Sequence, residues 1–142
     1  ALNDMAIYSS NVGYLFWDKK VKNLEINKHT RNNLILGFTV MANYGNGNDL
    51  IGNFGFEKNY KNNVTYLGEN FDTSYDRVFS PPADFDTKIT KNKNGNFTDY
   101  LIGKDDVFKN YLNYVFKNIK NNKNILRNEF LAINKEYENY LR

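Results

Sequence analysis

The spacing of glycines between residues 45 and 55 constrains the fold of this chain more than any other feature of its sequence. Four glycines fall within 11 residues, at positions 45, 47, 52 and 55. Such spacing requires backbone conformations that other residues avoid, or a close approach of the backbone to a neighbour. Just before it, alternate apolar residues predict a half-buried strand that ends at Gly45, with one face formed by Phe38, Val40, Ala42 and Tyr44.

Other short patterns also indicate strands in the first half of the chain. Residues 21–26 alternate between apolar and polar side chains, residues 64–67 read as a further short strand, and residues 14–17 are an aromatic run. We read the first third as strands, with Asn48 and Asp49 capping one helical turn through Ile51. Residues 1–67 are therefore predicted to be β-rich, and residues 68–104 an irregular connection, since they show little periodicity.

The last part of the chain predicts two amphipathic helices within residues 105–142. Asp105 or Asp106 is a suitable N-cap, and apolar residues then recur at spacings of three and four. The first stripe consists of Phe108, Tyr111, Leu112, Val115, Phe116 and Ile119. Asparagines 121 and 122 interrupt the pattern, and the second stripe consists of Leu126, Phe130, Ile133, Tyr137 and Tyr140. The predicted fold class is α+β, with a helical pair after the β-rich half.

Composition excludes several classes of site. The 142 residues carry a net charge of +3 with acidic and basic residues intermingled, so we expect no nucleic-acid partner. There is no cysteine and one histidine, His29, in a segment that reads as a polar surface turn. A catalytic relay based on histidine, a thiolate nucleophile and a metal site are therefore not expected. No apolar run approaches the roughly 20 residues of a membrane span.

Taken together, residues 37–56 resemble the distal catalytic segment of SET-domain protein methyltransferases of the RuBisCO large-subunit methyltransferase and SETD3-like type. The motif Asn43-Tyr44-Gly45 is intact, Asn48 follows it, and Phe54-Gly55-Phe56 occupies the last motif of the segment. Upstream, residues 4–9 are similar to the Asp-Met-x-Asn-His-Ser segment of that family. The resemblance extends over residues 4–67, and the helical pair resembles the start of the substrate-binding lobe.

This resemblance implies a chemistry and a set of site residues. Members of the family transfer a methyl group from S-adenosylmethionine to a lysine, or in some cases a histidine, of a protein substrate. Tyr44 would be the catalytic tyrosine that orients the attacking nitrogen, Phe54 would line the substrate channel, and Phe56 would contact the cofactor. The implied location is intracellular, cytoplasmic or nuclear.

The sequence also departs from the family. Ile7 and Tyr8 replace the Asn-His pair that holds the cofactor, and isoleucine cannot form the hydrogen bond. The N-terminal half of the SET domain has no counterpart, and residues 1–4 look like the interior of a longer protein. We therefore expect a degenerate or incomplete methyltransferase that binds S-adenosylmethionine poorly and is inactive alone. The alternatives are a non-catalytic module that binds a protein partner and an unrelated surface recognition protein.

Overall fold

The structure, a computed structural model, describes residues 1–57, 59–79, 81–121 and 123–141, without the side chains of residues 121, 123, 125 and 126. The chain forms two compact units. One comprises Ala1–Lys58 with Asn122–Arg142, and the other comprises Asn59–Asn121. This division differs from the boundaries at residues 67 and 104 that the sequence predicted. Both units combine antiparallel strands with helix, which confirms the α+β class.

The first unit packs two helices with a three-stranded sheet. Helix α1 spans Leu2–Trp17 and helix α3 spans Lys123–Leu141. The strands β1 (Asn23–Arg31), β2 (Leu34–Gly45) and β3 (Asn48–Gly55) are antiparallel in the order β1-β2-β3. The prediction for β2 is confirmed, since its alternate residues form the centre of the core, namely Phe38, Val40, Ala42 and Tyr44.

Helix α1 occupies the segment in which the sequence predicted strands. Its buried face includes Ala6, Ser9 and Gly13, which are small. Small residues allow close packing but contribute little to a hydrophobic period, so the helical pattern is faint. The aromatic run at residues 14–17 forms its last turn, and Asp18 ends it in a left-handed conformation with φ of 48°. The strand assignment there is wrong.

Paired asparagine and glycine residues form the tight turns between strands. Asn32 and Asn33 both have positive φ between β1 and β2, and Asn46 and Gly47 do so between β2 and β3. Two such residues in succession are typical of the turns that match the twist of a hairpin. The predicted helical turn at Asn48 is therefore wrong, because β3 begins there and pairs with β2.

The second unit contains the other four strands and helix α2 (Val107–Asn121). Strands β4 (Asn63–Leu67), β5 (Asp72–Asp76), β6 (Thr87–Lys93) and β7 (Asn96–Ile102) pair as antiparallel neighbours in chain order. The strand expected at residues 64–67 is confirmed. Residues 68–104, predicted as an irregular connection, instead contain β5, β6 and β7.

The two C-terminal helices belong to different units. Asp106 caps α2, since its carboxylate accepts a hydrogen bond from the Lys109 backbone nitrogen at 2.9 Å. The apolar stripe of α2 is largely exposed, with Phe108 71% accessible. The α3 stripe instead contacts α1, because the Tyr137 hydroxyl donates to the Asn3 carbonyl at 2.7 Å. Residue 122 and the Leu126 side chain lie outside the described parts of the chain.

Within the described ranges, every helix is too short or too polar to traverse a lipid bilayer.

Candidate functional site

The centre of the first unit is an aromatic contact between α1 and β2. The Tyr44 side chain is 1% exposed, and its ring lies 5.1 Å from that of Trp17. The ring also lies directly on the backbone of Gly13, where any side chain would overlap it. Tyr44, predicted as the catalytic tyrosine of a methyltransferase, is thus an internal packing residue in this structure.

Two tyrosine hydroxyls are buried in this core. The Tyr140 hydroxyl donates to the Ser9 carbonyl at 3.4 Å. The Tyr44 hydroxyl lies beside it and has no hydrogen-bond partner of good geometry among the described residues. Burial raises the pKa of Tyr44, and burial together with the adjacent Tyr44 phenol raises the pKa of Tyr140. Both phenols therefore remain protonated at neutral pH.

The other two predicted site residues do not meet Tyr44 in a channel. Phe54 lies on β3, and its ring stacks on that of Phe38 with the centroids 4.8 Å apart. Phe56 follows β3 and is 54% exposed. The structure therefore places these three aromatic residues in three different environments. No finding tests whether any of them belongs to another kind of site, and those assignments stay predictions.

The face of α1 opposite the sheet carries polar side chains. Asp4, Tyr8 and Asn11 follow one another at spacings of four and three, so they share this face. Tyr8 and Asn11 are half-buried, and the side-chain oxygen of Asn11 is fully buried without a hydrogen-bond partner among the described residues. A buried acceptor without a donor is costly, and such groups often mark a place where a ligand or water binds.

Each unit also has an open cleft. In the first unit a cleft of about 320 Å³ lies at the end of the sheet where β1 ends and β2 begins, and His29, Arg31 and Glu57 are among its lining residues. His29 lies in β1, which corrects its assignment to a turn. In the second unit a cleft of about 380 Å³ lies along the β6–β7 hairpin, lined by Lys91 and Lys93 with polar neighbours.

Comparison with known proteins gives a fold. No model of a known protein family matches the chain, and no curated protein is significantly similar to it. Among solved structures, the chain is similar to KijD10, a 3-ketoreductase from Actinomadura kijaniata in complex with TDP-benzene and NADP. The TM-score is 0.74 at 21% identity, over 87% of this chain and 40% of that chain.

Two variant structures of the same 3-ketoreductase, also in complex with TDP-benzene and NADP, agree with this likeness. A tyrosine-to-phenylalanine variant gives a TM-score of 0.74 at 20% identity, over 87% of this chain and 38% of that chain. A lysine-to-alanine variant gives 0.65 at 20% identity, over 74% and 34%. This chain therefore spans about two fifths of the length of the structures it matches, and the likeness establishes the fold alone.

These comparisons correct the functional interpretation of the sequence. The similar structures are of a 3-ketoreductase that binds NADP, so the resemblance to SET-domain methyltransferases is wrong, as is the methyl-transfer activity inferred from it. S-adenosylmethionine is likewise wrong as the cofactor, since the similar structures contain NADP. The alternatives, a non-catalytic protein-binding module and an unrelated surface recognition protein, find no support either. Short motifs of Asn, Tyr and Gly recur in the hairpins of many folds. They are therefore not specific for a methyltransferase.

The described residues do not fit a dinucleotide site by themselves. Dinucleotides bind a parallel sheet at a glycine-rich turn that opens a helix. Every strand pair described here is antiparallel, and the Gly-x-Gly-x-x-Gly pattern does not occur in the sequence. We therefore assign no NADP contact to this chain.

Sequence reasoning missed most of these features. The sequence indicates Tyr8 only as a departure from a family motif, and nothing in it shows that the side-chain oxygen of Asn11 is buried. Arg31 and Glu57 form an ion pair although they are 26 positions apart in the sequence, and no local pattern links them. The period of four between Asp4 and Tyr8 was the one visible signal of a shared helical face.

Proposed function

We propose that this chain is the antiparallel-sheet part of a ketoreductase that acts on a nucleotide-linked ketone. The single observation that carries the proposal is the fold shared with the 3-ketoreductase over 87% of this chain. That protein was crystallised with TDP-benzene and NADP. A dinucleotide would be held by sequence outside the residues described here, since they do not fit it.

Within this chain, Tyr8 is the best candidate for a residue of the reaction centre. Reduction of a ketone delivers a hydride to the carbonyl carbon and a proton to the carbonyl oxygen, and a positioned tyrosine can donate that proton. Replacement of a tyrosine by phenylalanine in the similar protein directs attention to the tyrosines of this chain. Tyr44 and Tyr140 are buried in the core, whereas Tyr8, in α1, is half-buried.

The test is made on the natural protein that contains this chain. Consumption of NADPH is followed with a thymidine-diphosphate-linked ketone as substrate. We expect Tyr8→Phe to lower kcat by about 100-fold to 10,000-fold, as loss of a general acid does. Tyr14→Phe is the matched control, because it removes the hydroxyl of an exposed tyrosine on the same helix, and it should leave kcat unchanged.

Two results would count against this proposal. Absence of ketone-dependent NADPH consumption by the unmodified protein would overturn the assigned reaction. Equal rates for Tyr8→Phe and Tyr14→Phe would retain the reaction but remove Tyr8 from its centre.

A further inference from the structure

The two faces of the sheet in the second unit differ in charge. Directly opposed residues of antiparallel strands project to the same side of a sheet, so the pairing of β4 to β7 assigns every strand residue to a face. The carboxylates of these strands, Asp72, Asp76 and Asp99, all lie on one face. The opposite face carries Lys91 and Lys93, and none of its strand residues, all of which the structure describes, is acidic.

The lysines of β6 also differ in their partners. On the acidic face, Lys88 forms an ion pair with Asp99, with 2.8 Å between Nζ and Oδ2. Lys91 and Lys93 have no carboxylate at ion-pair distance among the described residues. They stand two positions apart on one strand, so their backbones are separated by about 6–7 Å. This end of the sheet therefore presents two positive charges that no acidic group of the described chain neutralises.

An aromatic pair orients the first of these lysines. The Lys91 ammonium lies 4.5 Å from the centre of the Phe71 ring, and that ring packs against Tyr66 with the centroids 6.0 Å apart. A ring face attracts a cation, but an ammonium has three donor hydrogens, so Lys91 retains donors for a ligand. Lys91 is also half-buried. A side chain that is already oriented loses less conformational entropy when it binds.

The neighbouring strand places neutral donors beside the two ammonium groups. Thr98 pairs with Lys91 and Asn96 pairs with Lys93, and such opposed side chains have Cβ atoms about 4.5–5.5 Å apart. Tyr100 follows Thr98 on the same face of β7. Hydroxyl and amide groups can donate hydrogen bonds to an anion. Cations and neutral donors thus meet on two adjacent strands.

These residues surround the open cleft of the second unit. The cleft has a volume of about 380 Å³, within the range of small-molecule sites, about 300–1,000 Å³. Its lining residues are Lys91, Lys93, Asn94, Asn96, Thr98 and Tyr100. None of them is acidic, so the cleft suits an anion and not a cation.

We propose that this cleft binds a diphosphate group, either free or as part of a nucleotide. Lys91 and Lys93 each carry a charge for one of its phosphates, and Thr98 and Asn96 donate hydrogen bonds to its oxygens. Two ammonium groups on one strand match two linked phosphates better than a single phosphate, because each phosphate then forms its own charge-assisted hydrogen bond. The site lies within the second unit and does not rest on the proposed function.

The experiment measures binding without turnover, on the natural protein that contains this chain. Its threonine methyl groups are labelled with 13C, and inorganic pyrophosphate, orthophosphate and thymidine diphosphate are titrated separately. We expect pyrophosphate to shift the methyl signal of Thr98 with a millimolar dissociation constant, and orthophosphate to bind about tenfold more weakly. Thr90, on the acidic face of β6, should not shift. Binding of thymidine diphosphate as tight as that of pyrophosphate supports a site for the diphosphate alone, and tighter binding supports a site for a nucleotide.

Substitutions on the two faces of β6 separate a site from general attraction. Lys91→Gln and Lys93→Gln should each weaken pyrophosphate binding about tenfold, the usual effect of losing a hydrogen bond to a charged group. Lys88→Gln is the matched control, because it removes the same charge from the same strand on the opposite face, and it should leave binding unchanged. An unchanged threonine spectrum without ligand verifies that each variant is folded. Lys93 is exposed, so its variant keeps the test valid if Lys91→Gln does not fold.

Three results would overturn the diphosphate site. The first is the absence of a shift at Thr98 with pyrophosphate. The second is an equal shift with sodium chloride at the same ionic strength, and the third is an equal loss of binding in Lys88→Gln. None of these results depends on NADPH consumption, so failure here is distinguishable from failure of the proposed reaction.

Discussion

The ring of Tyr44 lies so close to Gly13 that a Cβ atom at residue 13 would come within 1.9 Å of Tyr44 Cε1. Helix α1 and strand β2 therefore approach each other at a position where only glycine fits. Tyr44 belongs to the buried face of β2, and Gly13 belongs to the small-residue face of α1. This contact sets the distance between helix and sheet in the first unit.

Gly13→Ala should destabilise the first unit. Alanine favours helix over glycine by about 1 kcal/mol, but overlap with a buried ring costs more, since forced repacking typically costs about 1–3 kcal/mol. A lower midpoint of urea denaturation would show it. Gly103→Ala is the control, because no atom lies within 4 Å of a Cβ at residue 103. Equal midpoints for the two variants would contradict the contact between Gly13 and Tyr44.

The buried phenols should make the protein sensitive to alkali. Burial raises the pKa of Tyr44 and of Tyr140 above the ordinary tyrosine value of about 10. The folded state thus holds these protons more tightly than the unfolded state does. The resulting stability is complete below pH of about 10 and is lost as the pH rises beyond it. Urea denaturation at pH 8 and at pH 10.5 measures the loss.

Tyr44→Phe isolates one phenol in that experiment. Its hydroxyl has no hydrogen-bond partner of good geometry among the described residues, so its removal should leave the stability at pH 8 unchanged or slightly higher. The decrease between pH 8 and pH 10.5 should be smaller than in the unmodified protein. Tyr60→Phe, which changes an exposed tyrosine, should retain the full decrease. A similar decrease in both variants would show that other groups, such as lysines, cause it.

The hairpin between β6 and β7 should depend on Gly95. Its φ is 82° and no neighbour lies within 4 Å of a Cβ at this position, so backbone strain is the main cost of a side chain there. Gly95→Ala should destabilise the second unit by about 1–2 kcal/mol, the cost of a left-handed conformation for a residue with a Cβ. Asn94→Gly, at φ of 54°, should be tolerated. Thermal melting monitored by circular dichroism distinguishes the two variants.

Helix α2 should lose stability when its cap is removed. Asp106→Ala deletes the carboxylate that accepts a hydrogen bond from the Lys109 backbone, at a cost of about 1 kcal/mol. Hydrogen exchange at the amide of Lys109 should accelerate, because that amide loses its partner. Asp84→Ala, in an exposed turn before β6, should leave exchange in α2 unchanged. Slow exchange at Lys109 in Asp106→Ala would rule out the cap.

Part of the fold could be predicted from the sequence, because interactions between residues close in sequence determine those elements. The alternation in β2, the short run of β4, and the cap and stripe of α2 depend on residues close in sequence. The Asn94-Gly95 turn also depends on local sequence, since Asn-Gly between alternating runs is a strong hairpin signal, although it lies within the segment predicted to be an irregular connection. Residues 68–104 were consequently assigned too little structure.

The candidate site was less predictable, because its parts become neighbours only in three dimensions. Leu36 is an extra residue in β2 that shifts the pairing of β1 and β2 by one residue. No local sequence pattern predicts this bulge. Arg31 and Glu57 meet through the pairing of three strands, and the unpaired oxygen of Asn11 depends on what surrounds α1. The resemblance to methyltransferases was wrong for a related reason. It rested on the order of short motifs, and in the structure those motifs belong to the hairpin formed by β2 and β3.

The sequence by itself determined the class of the fold and the strand whose alternate residues form the core, because side-chain periodicity directly reflects which face avoids water. The tertiary structure decided that residues 2–17 form a helix, because small residues pack closely without producing a hydrophobic period. It also decided that the glycines at residues 37 and 55 stand side by side on neighbouring strands. Such a juxtaposition follows from strand register, and register is set by the whole sheet rather than by any one segment.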